Sequence, residues 1–133
     1  MQFNFEKYLG LNEPALNLQS RRAQILAANV ANADTPKFKA RDIDFKTAMQ
    51  QAAQYPKGKG PLRETNAMHI QPPQFTNGYE VLYRNPLQPS IDGNTVETET
   101  ETAAFMENSM RYMASLRFLG DKFNTLSTAI RGQ

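Results

Sequence analysis

The stretch FMENSMRYMASLRFLGDKFNTLSTAI, residues 105–130, decides the fold. Phe105, Ser109, Tyr112, Leu116, Leu119, Phe123, Leu126 and Ile130 follow one another at steps of 4, 3, 4, 3, 4, 3 and 4, and only Ser109 is small and polar. Side chains spaced this way line one stripe of an α-helix and make a coiled-coil seam. At about 1.5 Å per residue the stripe runs roughly 39 Å, more than a compact domain of this size needs. Met106, Met110 and Met113 widen the apolar face with adaptable side chains. Upstream, Asp92-Gly93-Asn94-Thr95-Val96-Glu97 supplies a helix start, with Asn94 as N-cap and Glu97 as the returning acid of a capping box. The helix is expected over 94–131. Phe118 points about 200° away from Leu116, onto the face of Arg111 and Lys122, so it is assigned to a contact between subunits.

The other end of the chain predicts a partner helix over 9–33. Asn12-Glu13-Pro14 reads as a start, because an N-cap amide, an early acid and a first-turn proline suit groups that have no intrahelical partner. Pro36 ends the run. Two apolar rows occupy this helix: Leu16, Ala23 and Val30, joined by Leu26, and a row of Leu11, Leu18 and Ile25 about 200° around it. One row is enough for a surface helix, so two imply packing on both sides. Between the helices, residues 56–89 hold six of the eight prolines and three of the seven glycines, which excludes a long helix there. Residues 46–92 are therefore expected to be an irregular connection, either functional or disordered until bound. Its best strand is Tyr79 to Tyr83 after the Asn77-Gly78 turn. The expected class is mainly all-α: one domain over 1–133, long terminal helices paired as a coiled coil, and a long irregular segment with room for short β-strands.

Composition narrows the chemistry. The chain has 133 residues, no cysteine, one histidine (His69) and a net charge of +2. Those counts exclude disulfides, thiolate catalysis, cysteine-ligated zinc and a His-rich metal site. The charge is too small and too dispersed for nucleic acid. Residues 1–66 carry ten Lys/Arg against six Asp/Glu and residues 67–133 five against seven, an asymmetry suited to the two ends meeting each other or a neighbouring copy. No stretch approaches the roughly 20 apolar residues of a membrane span, and the first residues lack a cleavable signal peptide, so export is expected by another route. Asp42, Asp44 and His69 are the one set with acid–base potential, and solvated acids beside a loop histidine are the simpler reading. No catalytic residue, cofactor or metal is expected, and the chain is read as not an enzyme.

Asn29 and Asn32 stand one turn apart near the helix end, followed by Asp34-Thr35-Pro36. Asparagine is a mediocre helix former, and here its amide can bond orphan carbonyls or another chain. Residues 27–40, AANVANADTPKFKA, resemble the N-terminal signature of the flagellar axial proteins, the rod and hook proteins and their relatives. Residues 35–45 (TPKFKARDIDF) and 88–96 (QPSIDGNTV) are similar to the proximal rod members of that family. Lys37 stands where the family usually has glycine, and Phe38 where it usually has tyrosine. The resemblance implies a structural subunit of the proximal rod that polymerises helically and carries torque from motor to hook. It implies that Asn29, Asn32, Asp34, Thr35, Pro36 and Phe38 serve subunit packing. The partners it implies are other copies of the chain, neighbouring rod proteins, the adaptor protein of the membrane-embedded ring and the flagellar type III export apparatus, with no nucleic acid and no direct membrane insertion. The implied location is the basal-body rod in the periplasmic space. Phe5 and Leu9, four residues apart, resemble the short hydrophobic motif of early export substrates. The competing reading, a soluble coiled-coil adaptor or export chaperone, shares the long seam but needs neither the asparagine-rich helix end nor residues 93–96.

Overall fold

The computed structural model describes residues 8–54 and 79–132. Helix α1 spans Asn12–Ala31, strand β1 Arg41–Ile43, helix α2 Phe45–Gln54, strand β2 Val81–Tyr83 and helix α3 Thr98–Arg131. Phe5, His69 and the Asn77-Gly78 turn lie outside the described residues.

Helices α1 and α3 run antiparallel and side by side, tied near Asn29 and Glu101, near Gln19 and Ser115, and near Tyr8 and Lys122. At 34 residues, α3 is about 51 Å long and extends the pair well beyond the remaining elements. It closes on Gly132, whose φ of 71° suits glycine and whose N–H bonds the Thr128 carbonyl at 3.0 Å. At the opposite end α3 starts at Thr98, and the side chain of Glu97, at the N-cap position, makes no capping bond. The expected capping box does not form, because Glu97 instead accepts the N–H groups of Leu87 (2.7 Å) and Gln88 (3.4 Å), and Asn94 turns towards α1. Nor does Asn12 cap α1: Leu11 holds that position.

Strands β1 and β2 pair antiparallel with Arg41 opposite Tyr83, Asp42 opposite Leu82 and Ile43 opposite Val81. The ladder gains one more bond, from Arg84 N–H to the Ala40 carbonyl at 2.9 Å. Helix α2 occupies the start of the segment read as irregular. Asp44 begins it, accepting the Thr47 hydroxyl at 2.6 Å and the Thr47 N–H at 3.2 Å, and no proline or glycine intervenes before Pro56. The small apolar core lies where α1, β1 and α2 meet: Leu18, Ile43 and Ala48 are buried, with Ile25, Phe45, Met49 and Tyr79 packed around them. The Leu18/Ile25 row of α1 therefore faces the sheet and α2.

Candidate subunit-assembly site

The turn after α1 is held by side-chain amides. Asn32 donates to the Ala28 carbonyl of its own helix at 2.8 Å, an ordinary helix-end bond. Asn94, 62 residues on, reaches back and donates to the carbonyls of Asn32 (3.1 Å), Ala33 (2.6 Å) and Thr35 (2.9 Å). Its side-chain oxygen Oδ1 accepts the Val96 N–H at 2.7 Å. Backbone bonds from Lys37 to Asp92 (3.1 Å) and from Thr95 to Phe38 (3.0 Å) zip the two segments together. Asp34, Thr35 and Pro36 are exposed on this turn and Phe38 is half-buried.

Lys37 has φ of 62° and is the one non-glycine residue with positive φ among the described residues. A side chain in this left-handed region clashes with its own backbone, at a cost of about 1 kcal/mol or more. Glycine relieves the clash but gives the unfolded chain more freedom. Lys37→Gly is therefore expected to raise stability by up to about 1 kcal/mol. A urea titration checks this: a lowered midpoint would mean that the Lys37 methylenes, which approach Gly93, contribute more than the backbone conformation costs.

Asn29 sits at the centre of a second network and is 1% exposed. Its amide nitrogen donates to the Arg41 carbonyl at 2.7 Å and its amide oxygen accepts the Arg41 N–H at 3.1 Å. In this ladder register the Arg41 backbone groups point away from β2, so the side chain of Asn29 seals the outer edge of the sheet. The same nitrogen donates to Glu101 Oε2 at 3.0 Å. Arg22 grips Asp42 with two bonds, Nε to Oδ1 at 2.8 Å and Nη2 to Oδ2 at 2.9 Å. Arg84 bonds the same carboxylate and places its Nη1 3.1 Å from Glu101 Oε1. Burial works against the charge on Asp42, but the Arg22 bond, the Ile43 N–H and Arg84 outweigh it and hold the carboxyl below its ordinary value. The same bond raises Arg22. Asp42 thus closes an ion-pair network while Asp44 caps α2, so the two do not converge on a shared site. Among the described residues no cluster of three His, Asp or Glu side chains is placed to hold a metal ion.

A row of polar groups runs through the contact between the long helices. On α3, Glu101, Asn108, Ser115 and Lys122 recur every seven residues and face α1 or the residues before it. Asn108 donates to the Gln19 carbonyl at 2.8 Å, Gln19 donates to Ser115 Oγ at 3.2 Å, and Lys122 Nζ reaches the Tyr8 carbonyl at 3.3 Å. Tyr112, Leu119 and Leu126 of the expected seam flank this row and are half-buried. Phe105, Leu116, Phe123 and Ile130 are exposed, as are Met106, Met110, Met113 and Phe118. In the single subunit the inward face is therefore rotated from the expected stripe by about half its width, and much of the apolar surface of α3 points outward. Apolar periodicity alone passed over Glu101, Asn108, Gln19 and Arg84. The seven-residue recurrence of polar groups was the available signal for the first two.

An antiparallel pair of terminal helices, joined by a small sheet and carrying an uncovered apolar face, defines a subunit of a larger structure. Residues 13–39 match the family model described as flagella basal body rod protein. The chain is 42% identical over 134 residues to the flagellar basal body rod protein FlgB of Aeromonas hydrophila, covering 100% of this chain and 99% of that protein. It is 43% identical to FlgB of a Cereibacter sphaeroides strain, with 97% and 98% covered, and 38% identical to FlgB of Escherichia coli K12, with 92% of each covered. The chain belongs to the FlgB family of flagellar basal body rod proteins. It is a structural subunit of the rod, located in the flagellar basal body, and not an enzyme.

Proposed function

We propose that copies of this chain stack as a helical polymer forming the proximal rod, which carries torque from the motor towards the hook. The observation that carries this reading is the outward face of α3, where Met106, Met110, Met113, Leu116 and Phe123 are exposed along one long helix, with Phe118 exposed on another side of it. A monomeric protein rarely leaves so much contiguous apolar surface uncovered. Contacts repeated head to tail bury such a surface without closing into a ring of fixed size. Leu116, Phe123 and Ile130 then complete their seam against a neighbouring copy, Phe118 makes a second contact, and the exposed turn at Asp34, Thr35 and Pro36 packs on the adjacent subunit. The remaining partners are the neighbouring rod proteins, the ring adaptor and the type III export apparatus. Export without signal cleavage delivers the subunit to the periplasmic space, with Phe5 and Leu9 as the recognised motif.

Met110→Asp and Phe118→Ser test the assembly reading. Both side chains are exposed, 64% and 65%, so each change should alter the stability of the soluble subunit by no more than about 0.5 kcal/mol. Buried in an interface, the same side chains act as anchors worth about 2 kcal/mol or more. The expected result is unchanged circular dichroism with no rods in purified hook–basal bodies and no swimming. Motile cells with intact rods built from either variant would refute that residue's contact.

A further inference from the structure

We propose that Arg84 is a latch that makes the pairing of α1 with α3 conditional on the return of the chain through β2. The argument begins with Glu101, an acid on α3 that is 0% exposed and faces α1. Its Oε2 takes the Asn29 amide, but among the described residues its Oε1 receives no well-directed hydrogen bond, and the Arg84 guanidinium at 3.1 Å is the one cation paired with it. A carboxylate in that position needs a neutralising charge, and a buried ion whose partner is removed is strongly destabilising. Asn29, being neutral, cannot supply the charge. Arg22 on α1, which also feels the charge of Glu101, is committed to Asp42 through two bonds.

Arg84 immediately follows β2, and its N–H continues the ladder to Ala40. The guanidinium reaches Glu101 only while β2 is docked on β1. Asp42, on β1, holds the other arm of the same guanidinium and aims it. Arg22, Asp42, Arg84 and Glu101 thus form a neutral quartet drawn from α1, β1, the end of β2 and α3. Separating β2 from the sheet leaves Glu101 unpaired between the helices, so strand docking and helix pairing rise or fall together. In the latched subunit, α1 and α3 cannot settle fully until the segment between them has come back.

The test uses the full chain and four proteins: wild type, Arg84→Met, Glu101→Gln and the double variant, compared by urea unfolding and amide hydrogen exchange. Arg84→Met should shift the folding equilibrium towards the unfolded state by about a hundredfold or more, as expected for a stranded buried charge. Exchange should accelerate in α1 and α3, far from position 84 in sequence. Glu101→Gln removes the charge that needs neutralising, so the double variant should lie within about tenfold of Glu101→Gln alone. A residue that acted only by packing would show no such suppression. If Arg84→Met does not fold, the double variant decides: recovery of helix supports the latch and failure to recover overturns it. A double variant no more stable than Arg84→Met, or faster exchange confined to residues 81–84, would also overturn it.

Discussion

Asn94→Asp is expected to destabilise the subunit by more than Asn94→Ala, although it is the closer match in shape. The Asn94 side chain is 6% exposed, and its Nδ2 group faces the carbonyl oxygens of Asn32, Ala33 and Thr35, all within 3.1 Å. Those carbonyls belong to the end of α1 and the turn after it, where the helix supplies no donors. Alanine removes the donor, leaving the Ala33 carbonyl to whatever water can enter, the Asn32 and Thr35 carbonyls with one backbone donor each, from Thr35 N–H at 3.1 Å and Phe38 N–H at 3.3 Å, and the Val96 N–H without its acceptor. Buried polar groups left unmade cost about 1 to 3 kcal/mol each, and partial hydration should keep the sum near 3 kcal/mol. Aspartate keeps the acceptor for Val96 but turns a second oxygen, carrying charge, towards three carbonyl oxygens. Repulsion is then added to the lost bonds, and the total should approach the 5 kcal/mol at the low end of ordinary domain stability. Urea unfolding of both variants checks the order. Equal midpoints for Asn94→Asp and wild type would show that shape, not the donor, is what the site requires.

The long helices were legible because their boundaries have local causes. Pro36 stops the first, and a proline-rich stretch precludes an early start to the last. The strand at 79–83 was legible from its residues, and β2 occupies 81–83. Its partner at 41–43 was not. A three-residue strand has no periodicity to read, and its partner lies about forty residues away, beyond any local pattern. Helix α2 occupies the ten residues before the prolines begin, a span too short for apolar periodicity to separate from the irregular segment expected from residue 46.

The orientation of α3 is the more instructive difference. Reading apolar periodicity assumes that the apolar stripe faces the subunit's own core. Here the described core is small and lies between α1, β1 and α2, while the row of α3 that meets α1 is Glu101, Asn108, Ser115 and Lys122. Polar groups placed between helices fix one register and alignment, at a cost in stability. The apolar stripe is then left largely exposed on the single subunit. The same reasoning explains the asparagines: Asn32 does what any residue near a helix end does, whereas Asn29 bonds a strand and a second helix that no local pattern announces.

Asn29→Asp should be comparably damaging to Asn94→Asp, for a different reason. Asn29 Nδ2 donates both to the Arg41 carbonyl and to Glu101 Oε2, from a position 1% exposed beside a carboxylate that is 0% exposed. Aspartate replaces that donor with an oxygen and sets two carboxylates about 3 Å apart in a site with little water, where like charges strongly oppose joint ionisation. Arg84 can neutralise one of them, but Asp42 already holds part of its charge. The edge of β1 loses its seal at the same time, because the Arg41 carbonyl no longer has a donor. The combined cost is expected to exceed about 4 kcal/mol, enough to unfold a marginal domain at room temperature. Asn29→Ala, which removes the bonds without adding charge, should cost about 2 to 3 kcal/mol. The decisive comparison is Asn29→Asp with Glu101→Gln in the same chain, where the glutamine amide can donate to the new aspartate and one buried charge is gone. That pair should recover helix content and raise the urea midpoint well above Asn29→Asp alone. If instead the double variant is as unfolded as the single one, the damage does not come from the meeting of two carboxylates, and the role given to Glu101 between the helices falls with it.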